Sequence, residues 1–318
     1  MATESEILDR YPQTEGKRLI RDERNQKVLQ LREKAGVPYF TFPKLAECEC
    51  IDHLFTTRAG GVSSGHLASM NFSIRMGDKS EKVSENFRRI SEVLQCDMKD
   101  MVGTVQTHTT NIRKVTREDG GKGILFEQDY QDIDGLITRE KGITLCAYTA
   151  DCVPIFFVDP VKEVIGIAHS GWRGTAMNMA GKMVEAMQGE YGTDPKDLIA
   201  GIGPSICQKC YEVDETVAEA FRTLLGDDRE ERRKIELSGT YPMSSEKGLR
   251  SVVMPGRADG KYQLDLWLAN LILLIRAGVL IDRIDVTDIC TACNPEILFS
   301  HRASHGKRGN LGGMIRLR

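Results

Sequence analysis

The stretch DCVPIFFVDPVKEVIGIAHSGWRG, residues 151–174, consists of two apolar runs joined by a turn. Residues 153–158 and 164–169 are typical of buried strands, and the Asp-Pro pair between them predicts the turn. The thiol of Cys152 precedes the first strand and the imidazole of His169 ends the second. A flexible turn with a tryptophan and an arginine follows at once. The stretch therefore predicts two neighbouring strands with reactive side chains where each strand meets a loop.

The composition is that of an ordinary globular chain. Its 318 residues are 41% hydrophobic and 28% charged, and the formal net charge of -3 indicates no bulk attraction to nucleic acid or to an anionic membrane. The apolar segment 266–275 is too short to span a bilayer, and the polar N-terminus has no signal-peptide core. These features predict a cytoplasmic location. There, the nine cysteines are expected as thiols, metal ligands or nucleophiles rather than disulfides.

The remaining chain mixes helices and strands without a strict βαβ rhythm, which predicts a single α+β domain with mixed sheets flanked by helices. Residues 1–50 are predicted to form a polar extension with a peripheral helix over 19–36, closed by Gly36, and residues 51–318 the main domain, which the family resemblance given below implies is catalytic. A weakly structured excursion is expected over 227–260. The other predicted helices span 80–96, 175–192, 213–226 and 262–278, and the other predicted strands include 101–108, 143–149 and the C-terminal segment 312–318.

Three reactive side chains stand at strand ends. His108 ends the predicted strand MVGTVQTH, and Cys152 and His169 flank the pair of strands described above. Imidazole and thiolate are good ligands for zinc or copper, and strand ends of a rigid sheet can make such groups converge. The spacing forms no compact metal motif. Taken one at a time, such a histidine is more often a satisfied, partly buried side chain than a ligand, and such a cysteine is more often a small core residue.

Seven motifs, HLFTTRAGGVSSGHLASMNF, VQTH, DGLIT, TADCVPIFFVDP, IAHSGWRGT, IGPSICQKCYEV and LDLWLANLILLIRAGV, occur in the order seen in the YfiH family, which this chain resembles from about residue 52 to its C-terminus. These are the laccase-domain, multi-copper polyphenol oxidoreductase-like proteins, now described as purine nucleoside phosphorylases. The resemblance implies a layered α/β/β/α fold. It also implies that His108, Cys152 and His169 are the metal ligands and catalytic residues, with zinc as the cofactor and copper as the alternative.

The resemblance implies phosphorolysis of adenosine, inosine, guanosine or methylthioadenosine to base and ribose 1-phosphate. Zinc lowers the pKa of a bound water to about 7, which suits adenosine deamination at the same metal site. Arginine matches the shape of phosphate, and Arg58, in the family's T-R-x-G-G motif, is the first candidate for binding it. Arg173 and Arg302 are further substrate-binding candidates or surface ion-pair partners. Asn71 and Gln106 are expected to contact the sugar or base, or to cap turns.

Two aspartates and a tryptophan near these motifs have two interpretations each. Asp151 and Asp134 are candidates for orienting a metal ligand without binding the metal themselves, with turn or capping roles as the alternative. Trp172 is suited to stacking on a purine, although a tryptophan beside an apolar strand is more often part of the core.

Two C-x-x-C pairs, Cys207/Cys210 and Cys290/Cys293, imitate half-sites of a four-cysteine zinc site. Residues 211–289 separate the pairs, far beyond the spacing of a compact zinc ribbon. A closed site of this kind usually shows tight local spacing, so the sequence favours separate thiols and leaves convergence in space open.

Three other functions stay open. Cys152 with His169 as its base would suit an amide hydrolase that edits peptidoglycan precursors, a process to which the family is also linked. A copper-dependent polyphenol oxidase is disfavoured, because one centre of two histidines and a cysteine lacks the additional coppers needed for four-electron oxygen reduction. The third is a metal-stabilised partner-binding protein without turnover. The expected partners are purine nucleosides and phosphate, with the chain a monomer or weak homodimer.

Overall fold

Two six-stranded sheets form the centre of the computed structural model, which describes residues 2–22, 28–245 and 248–318. The strands are β1 (Gln30–Lys34), β2 (Val37–Thr41), β3 (Ile51–Thr56), β4 (Met101–Gly103), β5 (Ile112–Lys114), β6 (Gly135–Thr138), β7 (Thr144–Thr149), β8 (Val153–Asp159), β9 (Val164–Ser170), β10 (Ile199–Ile202), β11 (Glu212–Asp214), β12 (Ser244–Ser245), β13 (Gly248–Leu249), β14 (Val253–Pro255), β15 (Lys261–Leu264), β16 (Ile284–Val286) and β17 (Leu311–Leu317). The helices are α1 (Glu4–Leu8), α2 (Pro43–Ala46), α3 (Ser80–Leu94), α4 (Trp172–Ala176), α5 (Met179–Tyr191), α6 (Glu215–Leu225), α7 (Arg229–Ser238) and α8 (Leu266–Arg276).

Both large sheets are mixed. The first has the order β1-β2-β3-β17-β7-β4 and the second β16-β10-β8-β9-β6-β5. Parallel pairs occur at β4–β7, β5–β6 and β10–β16, whereas the other pairs are antiparallel. A smaller sheet, β11-β15-β14, and the two-stranded β12–β13 ribbon lie outside them.

The sheets are stacked between helices. One apolar cluster joins their facing sides, with Phe55 from β3, Phe156 from β8 and Ile167 from β9 among its buried members. A second cluster packs α5 and α8 on the outer face of the second sheet, and a third packs α3 on the outer face of the first. This arrangement confirms the predicted α+β class and its α/β/β/α layering.

The β8–β9 hairpin sets the geometry that matters for function. Pro154 pairs with His169 and Val153 with Ser170 in antiparallel register. Both strands are fully buried because they lie in the middle of a sheet covered on both faces. The hairpin therefore carries Cys152, just before β8, to the end of β9 at which His169 stands.

The predicted helix over 19–36 is wrong in its C-terminal part. Residues 30–34 form β1, which pairs with β2, while residues 23–27 lie outside the described residues. Ala35 and Gly36 both have positive φ angles (50° and 71°), as the two central residues of a tight hairpin turn require. Gly36 therefore closes a hairpin rather than a helix. The division of the chain at residue 50 remains a prediction.

Other boundaries differ in detail. The predicted helix 175–192 is two helices, α4 and α5, because Asn178 has a positive φ of 63° and its side chain caps α5 by accepting from the amide of Gly181 (3.1 Å). The predicted helix 262–278 begins only at Leu266, since β15 precedes it, and the excursion 227–260 contains α7 and β14. Among the described residues, no helix is long and apolar enough to cross a membrane.

Candidate functional site

The side chains of His108, Cys152 and His169 converge at one end of the β8–β9 hairpin. Their ligating atoms all lie within 4.8 Å of one another, and the Cys152 Sγ is 3.9 Å from the His108 Nε2. The two imidazole rings stand nearly perpendicular, with centroids 4.9 Å apart. We call these three residues the histidine–cysteine site. Two nitrogens and one sulfur form a donor set that zinc and copper both accept, with one coordination position left for water or substrate.

The buried carboxylate of Asp134, just before β6, orients the site. It is fully buried, and its Oδ1 lies 2.7 Å from the Nδ1 of His169. The same carboxylate accepts hydrogen bonds from the backbone amides of Thr107 (3.1 Å), His108 (3.2 Å) and Thr109 (2.9 Å). One side chain thus fixes the ring of His169 and the backbone around His108. With the Nδ1 of His169 directed at Asp134, its Nε2 is the atom left for a metal.

The electrostatics of the site favour a positive charge beside a thiolate. Burial opposes ionisation of Cys152, but the charge of His169 and hydrogen bonds with both histidines outweigh it and lower the thiol pKa to about 6. Burial likewise opposes a charge on His169, yet the Cys152 thiolate and Asp134 raise the pKa of His169 to about 9. A metal ion supplies the same positive charge in place of the imidazole proton, so these donors fit a cation.

Two backbone features bring the three side chains close together. His108 has a positive φ of 66°, and a left-handed residue of this kind turns the chain sharply after β4. Gly171 packs against the site. A Cβ at this position would lie 2.8 Å from His108 Cδ2 and 3.1 Å from Cys152 Sγ. The glycine of the HSGWRG turn therefore allows the backbone to approach these two side chains.

Asp151 supports Cys152 from the preceding position. Its backbone has a positive φ of 88°, an unusual conformation for a residue with a side chain. Its carboxylate accepts from the Oγ1 of Thr291 (2.5 Å) and from the amide of Arg302 (2.7 Å), and its carbonyl accepts from the amide of Ile206 (3.0 Å). Three separate segments thus hold the residue before Cys152.

The residues predicted to contact substrate are engaged in internal bonds. Arg58 donates to the carbonyls of Ala68 and Pro295 (2.8 and 2.6 Å). The buried amide of Asn71 bonds to Asp78, to Ser73 and to the amide of Asn310. Gln106 forms a two-way pair with the backbone of Tyr148 (2.6 and 2.7 Å). For Asn71 and Gln106 these interactions correspond to the turn and capping alternative, and substrate contact by all three residues remains a prediction.

The two other arginines lie on aromatic rings. Arg173 is exposed, and its guanidinium carbon lies 4.5 Å from the ring centroid of Trp172, which is half-buried against the core. Arg302 lies over Tyr211 (5.2 Å) and donates to the carbonyls of Cys210 and Glu212.

Arg308 is a charged residue near the site that the motifs do not single out. Its guanidinium is half-buried within electrostatic reach of Cys152 and Asp151. Its Nε has no hydrogen-bond partner in the part of the chain that the structure describes. The basic composition of the tail SHRASHGKRGN was the only sequence signal for it.

Comparisons with known proteins show the family of the chain. Residues 52–318 match the family model described as multi-copper polyphenol oxidoreductase laccase. The chain is similar to "Purine nucleoside phosphorylase YlmD" of Bacillus subtilis, at 35% identity over 82% of this chain and 86% of the relative. It is also similar to "Adenosine deaminase RL5" of an unknown prokaryotic organism, at 30% identity over 80% of this chain and 89% of the relative.

Solved structures share the fold. YfiH of Bacillus licheniformis matches with a TM-score of 0.79 and 31% identity, covering 91% of this chain and 99% of its own. YlmD of Geobacillus stearothermophilus matches with a TM-score of 0.77 and 34% identity, covering 92% of this chain and 100% of its own. The motifs that suggested the resemblance therefore lie in a shared framework.

Proposed function

The chain belongs to the multi-copper polyphenol oxidoreductase laccase family, and we propose from this membership that it is a purine nucleoside phosphorylase that also deaminates adenosine. One relative with each of these two names matches at least four-fifths of the chain. The observation that carries the proposal is the convergence of the ligating atoms of His108, Cys152 and His169 to within 4.8 Å of one another. We propose adenosine, inosine, guanosine and methylthioadenosine as substrates and zinc rather than copper as the metal.

The protein's own groups prepare the site for a metal. Asp134 holds the Nδ1 proton of His169, which leaves the Nε2 lone pair for coordination. The low pKa of Cys152 supplies a thiolate at neutral pH, the form in which cysteine binds metals. When bound, zinc polarises the group in its fourth position and makes water more acidic, which is the chemistry that deamination needs.

Phosphorolysis needs an anion site close by. A phosphate oxygen forms a bond to C1′ of the ribose while the C1′–N9 bond breaks, and the electron pair of that bond leaves with the base, which takes up a proton. Arg308 is the best-placed guanidinium for the phosphate, because it is half-buried near Cys152 and its Nε is unbonded within the described residues. Arg308 donates to the Gly309 carbonyl and to Asn310 Oδ1 through Nη1 alone, whereas Arg58 donates through both Nε and Nη1, so Arg58 is the weaker candidate.

The test is turnover of adenosine by protein of measured metal content, with and without phosphate. Phosphate-dependent adenine and ribose 1-phosphate are expected, together with inosine from deamination. Cys152→Ala is expected to lose bound metal and inosine formation, whereas Cys48→Ala, which removes a half-buried thiol outside the site, keeps both. Metal-loaded protein that releases no product from any of the four nucleosides would refute the proposal.

Nine free thiols are compatible with a reducing cytoplasm, which we propose as the location.

A second candidate function has one observation in its favour. Cys152, His169 and Asp134 are arranged as nucleophile, base and orienting carboxylate, the order found in cysteine hydrolases. Alkylation by iodoacetamide separates the two functions. A metal-bound Cys152 is expected to resist the reagent until a chelator is added. Rapid capture of Cys152 in protein that keeps its metal would favour an amide hydrolase.

A further inference from the structure

Four cysteine sulfurs meet at a second place in the fold. Cys207 and Cys210 lie between β10 and β11, and Cys290 and Cys293 follow β16. Their Sγ atoms all lie within 4.8 Å of one another, and those of Cys210 and Cys293 are 3.5 Å apart. We call these residues the four-cysteine cluster. None of them belongs to the histidine–cysteine site.

The sheet explains why pairs so distant in sequence meet. β10 and β16 are neighbouring parallel strands, with Ala200 opposite Ile284 and Ile202 opposite Val286. The two chains stay side by side beyond the strands, since Ser205 forms a further parallel bridge with Cys290. Parallel strands leave a sheet at the same edge, so each C-x-x-C turn emerges beside the other although corresponding cysteines are 83 positions apart.

The four sulfurs of the cluster are free and are spaced like thiolates around one ion. Cys207 and Cys290 are buried, at 5% and 3% exposure, and the amide of Cys207 donates to the Sγ of Cys290 (3.3 Å). All four thiols are free, and 3.5 Å is much longer than a disulfide bond of about 2.05 Å. Sulfurs around a tetrahedral zinc ion at about 2.3 Å lie about 3.8 Å from one another. This is close to the 3.5 Å between Cys210 and Cys293 and within the 4.8 Å that limits every pair in the cluster.

We propose that the four-cysteine cluster binds a structural zinc ion with all four coordination positions filled by protein. A tetrahedral site of four soft thiolates is typical of zinc, and a zinc ion with all four positions occupied by protein has no position for substrate. Binding replaces the thiol protons, which pass to solvent, and leaves a complex of net charge -2. The guanidinium of Arg302 lies beside this charge, bonded to the carbonyl of Cys210.

The ion would also stiffen the support of the histidine–cysteine site. The amide of Ile206, next to Cys207, donates to the carbonyl of Asp151 (3.0 Å). The hydroxyl of Thr291, next to Cys290, donates to the carboxylate of Asp151 (2.5 Å). Both cysteine turns thus hold the left-handed residue that precedes Cys152. Joining the turns through one ion fixes that residue from two sides.

Metal analysis of the full chain tests the proposal. The wild type is expected to hold two zinc ions, and Cys152→Ala and Cys210→Ser one each. Cys48→Ser, a half-buried thiol outside both sites, should keep two. Cobalt in place of zinc distinguishes the sites, because thiolate-to-cobalt charge-transfer absorption grows with the number of sulfur ligands. Cys152→Ala should keep the strong four-thiolate spectrum and Cys210→Ser should lose it.

A folding failure of Cys210→Ser leaves the test intact, because cobalt titration of Cys152→Ala uses an unaltered four-cysteine cluster. Failure of that variant to bind cobalt or zinc would overturn the proposal, as would a disulfide between Cys210 and Cys293 or bound iron in the purified protein. None of these results bears on nucleoside turnover by the wild type, so the proposed function is tested separately.

Discussion

Gly171→Ala should damage the histidine–cysteine site by adding one methyl group. The new carbon would lie 2.8 Å from His108 Cδ2 and 3.1 Å from Cys152 Sγ. Carbon atoms pack best at about 3.5–4.0 Å, so His108 must move by roughly 0.7 Å or more. Gly171 has a φ of -67° and a ψ of 175°, a conformation that alanine adopts freely. The effect is therefore steric, without backbone strain.

A displacement of this size exceeds the tolerance of about 0.5 Å within which ligands and catalytic groups must be held. We expect zinc affinity to fall at least about tenfold, equivalent to ~1.4 kcal/mol. A misplacement approaching 1 Å lowers kcat/KM by about 100-fold, which is the expected loss in nucleoside turnover. Competition with a chromophoric chelator measures zinc affinity, and adenosine turnover is measured on the same samples.

Gly174→Ala is the matched control three positions along the same turn. Its added carbon would meet the Thr109 carbonyl at 3.4 Å and the His169 carbonyl at 3.6 Å, which are ordinary contacts. Since Gly174 lies inside α4, alanine should also stabilise the helix by roughly 0.5–1 kcal/mol. Wild-type zinc affinity and turnover in Gly171→Ala would refute the reasoning. Equal losses in the two variants would show that the effect is not specific to the metal ligands.

Three further changes test separate parts of the structure. Asp134→Asn should weaken zinc binding about 10–100-fold, because an amide orients His169 less well than a carboxylate; zinc titration that matches the wild type would contradict this role. Arg308→Gln should raise the KM for phosphate roughly 10–100-fold, the loss expected for a charge-assisted bond, while deamination without phosphate stays unchanged. His53 is buried and accepts from the amide of Phe42 (2.9 Å), and burial lowers its pKa to about 4. As the pH falls below about 6.5, His53 is protonated in the unfolded chain before it is protonated in the folded protein. The free energy of unfolding therefore decreases between about pH 6.5 and 4, and the decrease is about 1.4 kcal/mol at about pH 5.5. Urea unfolding should show a smaller pH dependence in His53→Gln, and an equal dependence would exclude His53 as its source.

Local patterns were sufficient for the centre of the fold but not for its N-terminal edge. The two apolar runs flanking Asp159 predicted β8 and β9, because continuous apolar residues and an Asp-Pro turn leave few alternatives. Residues 30–34 were assigned to a helix, since charged residues around Leu31 suit an amphipathic helix as well as an edge strand. The structure makes them β1, because pairing with β2 through the Ala35–Gly36 turn satisfies the backbone. Tertiary pairing of this kind overrides local propensity.

The two candidate metal sites differ in how far sequence reasoning reaches them. A hairpin that pairs Pro154 with His169 necessarily returns the chain to Cys152, so register alone brings two of the three ligands together. His108 arrives by a left-handed turn and a backbone hydrogen bond to Asp134, which no local pattern predicts. The sequence places it at the end of a strand over 101–108, but β4 ends at Gly103, and only the family motif indicates a role as a ligand. The four-cysteine cluster depends on two parallel strands being neighbours. Parallel neighbours need a long crossover, so the two C-x-x-C pairs that this sheet brings together are far apart in sequence. A rule that expects compact spacing therefore does not predict this site.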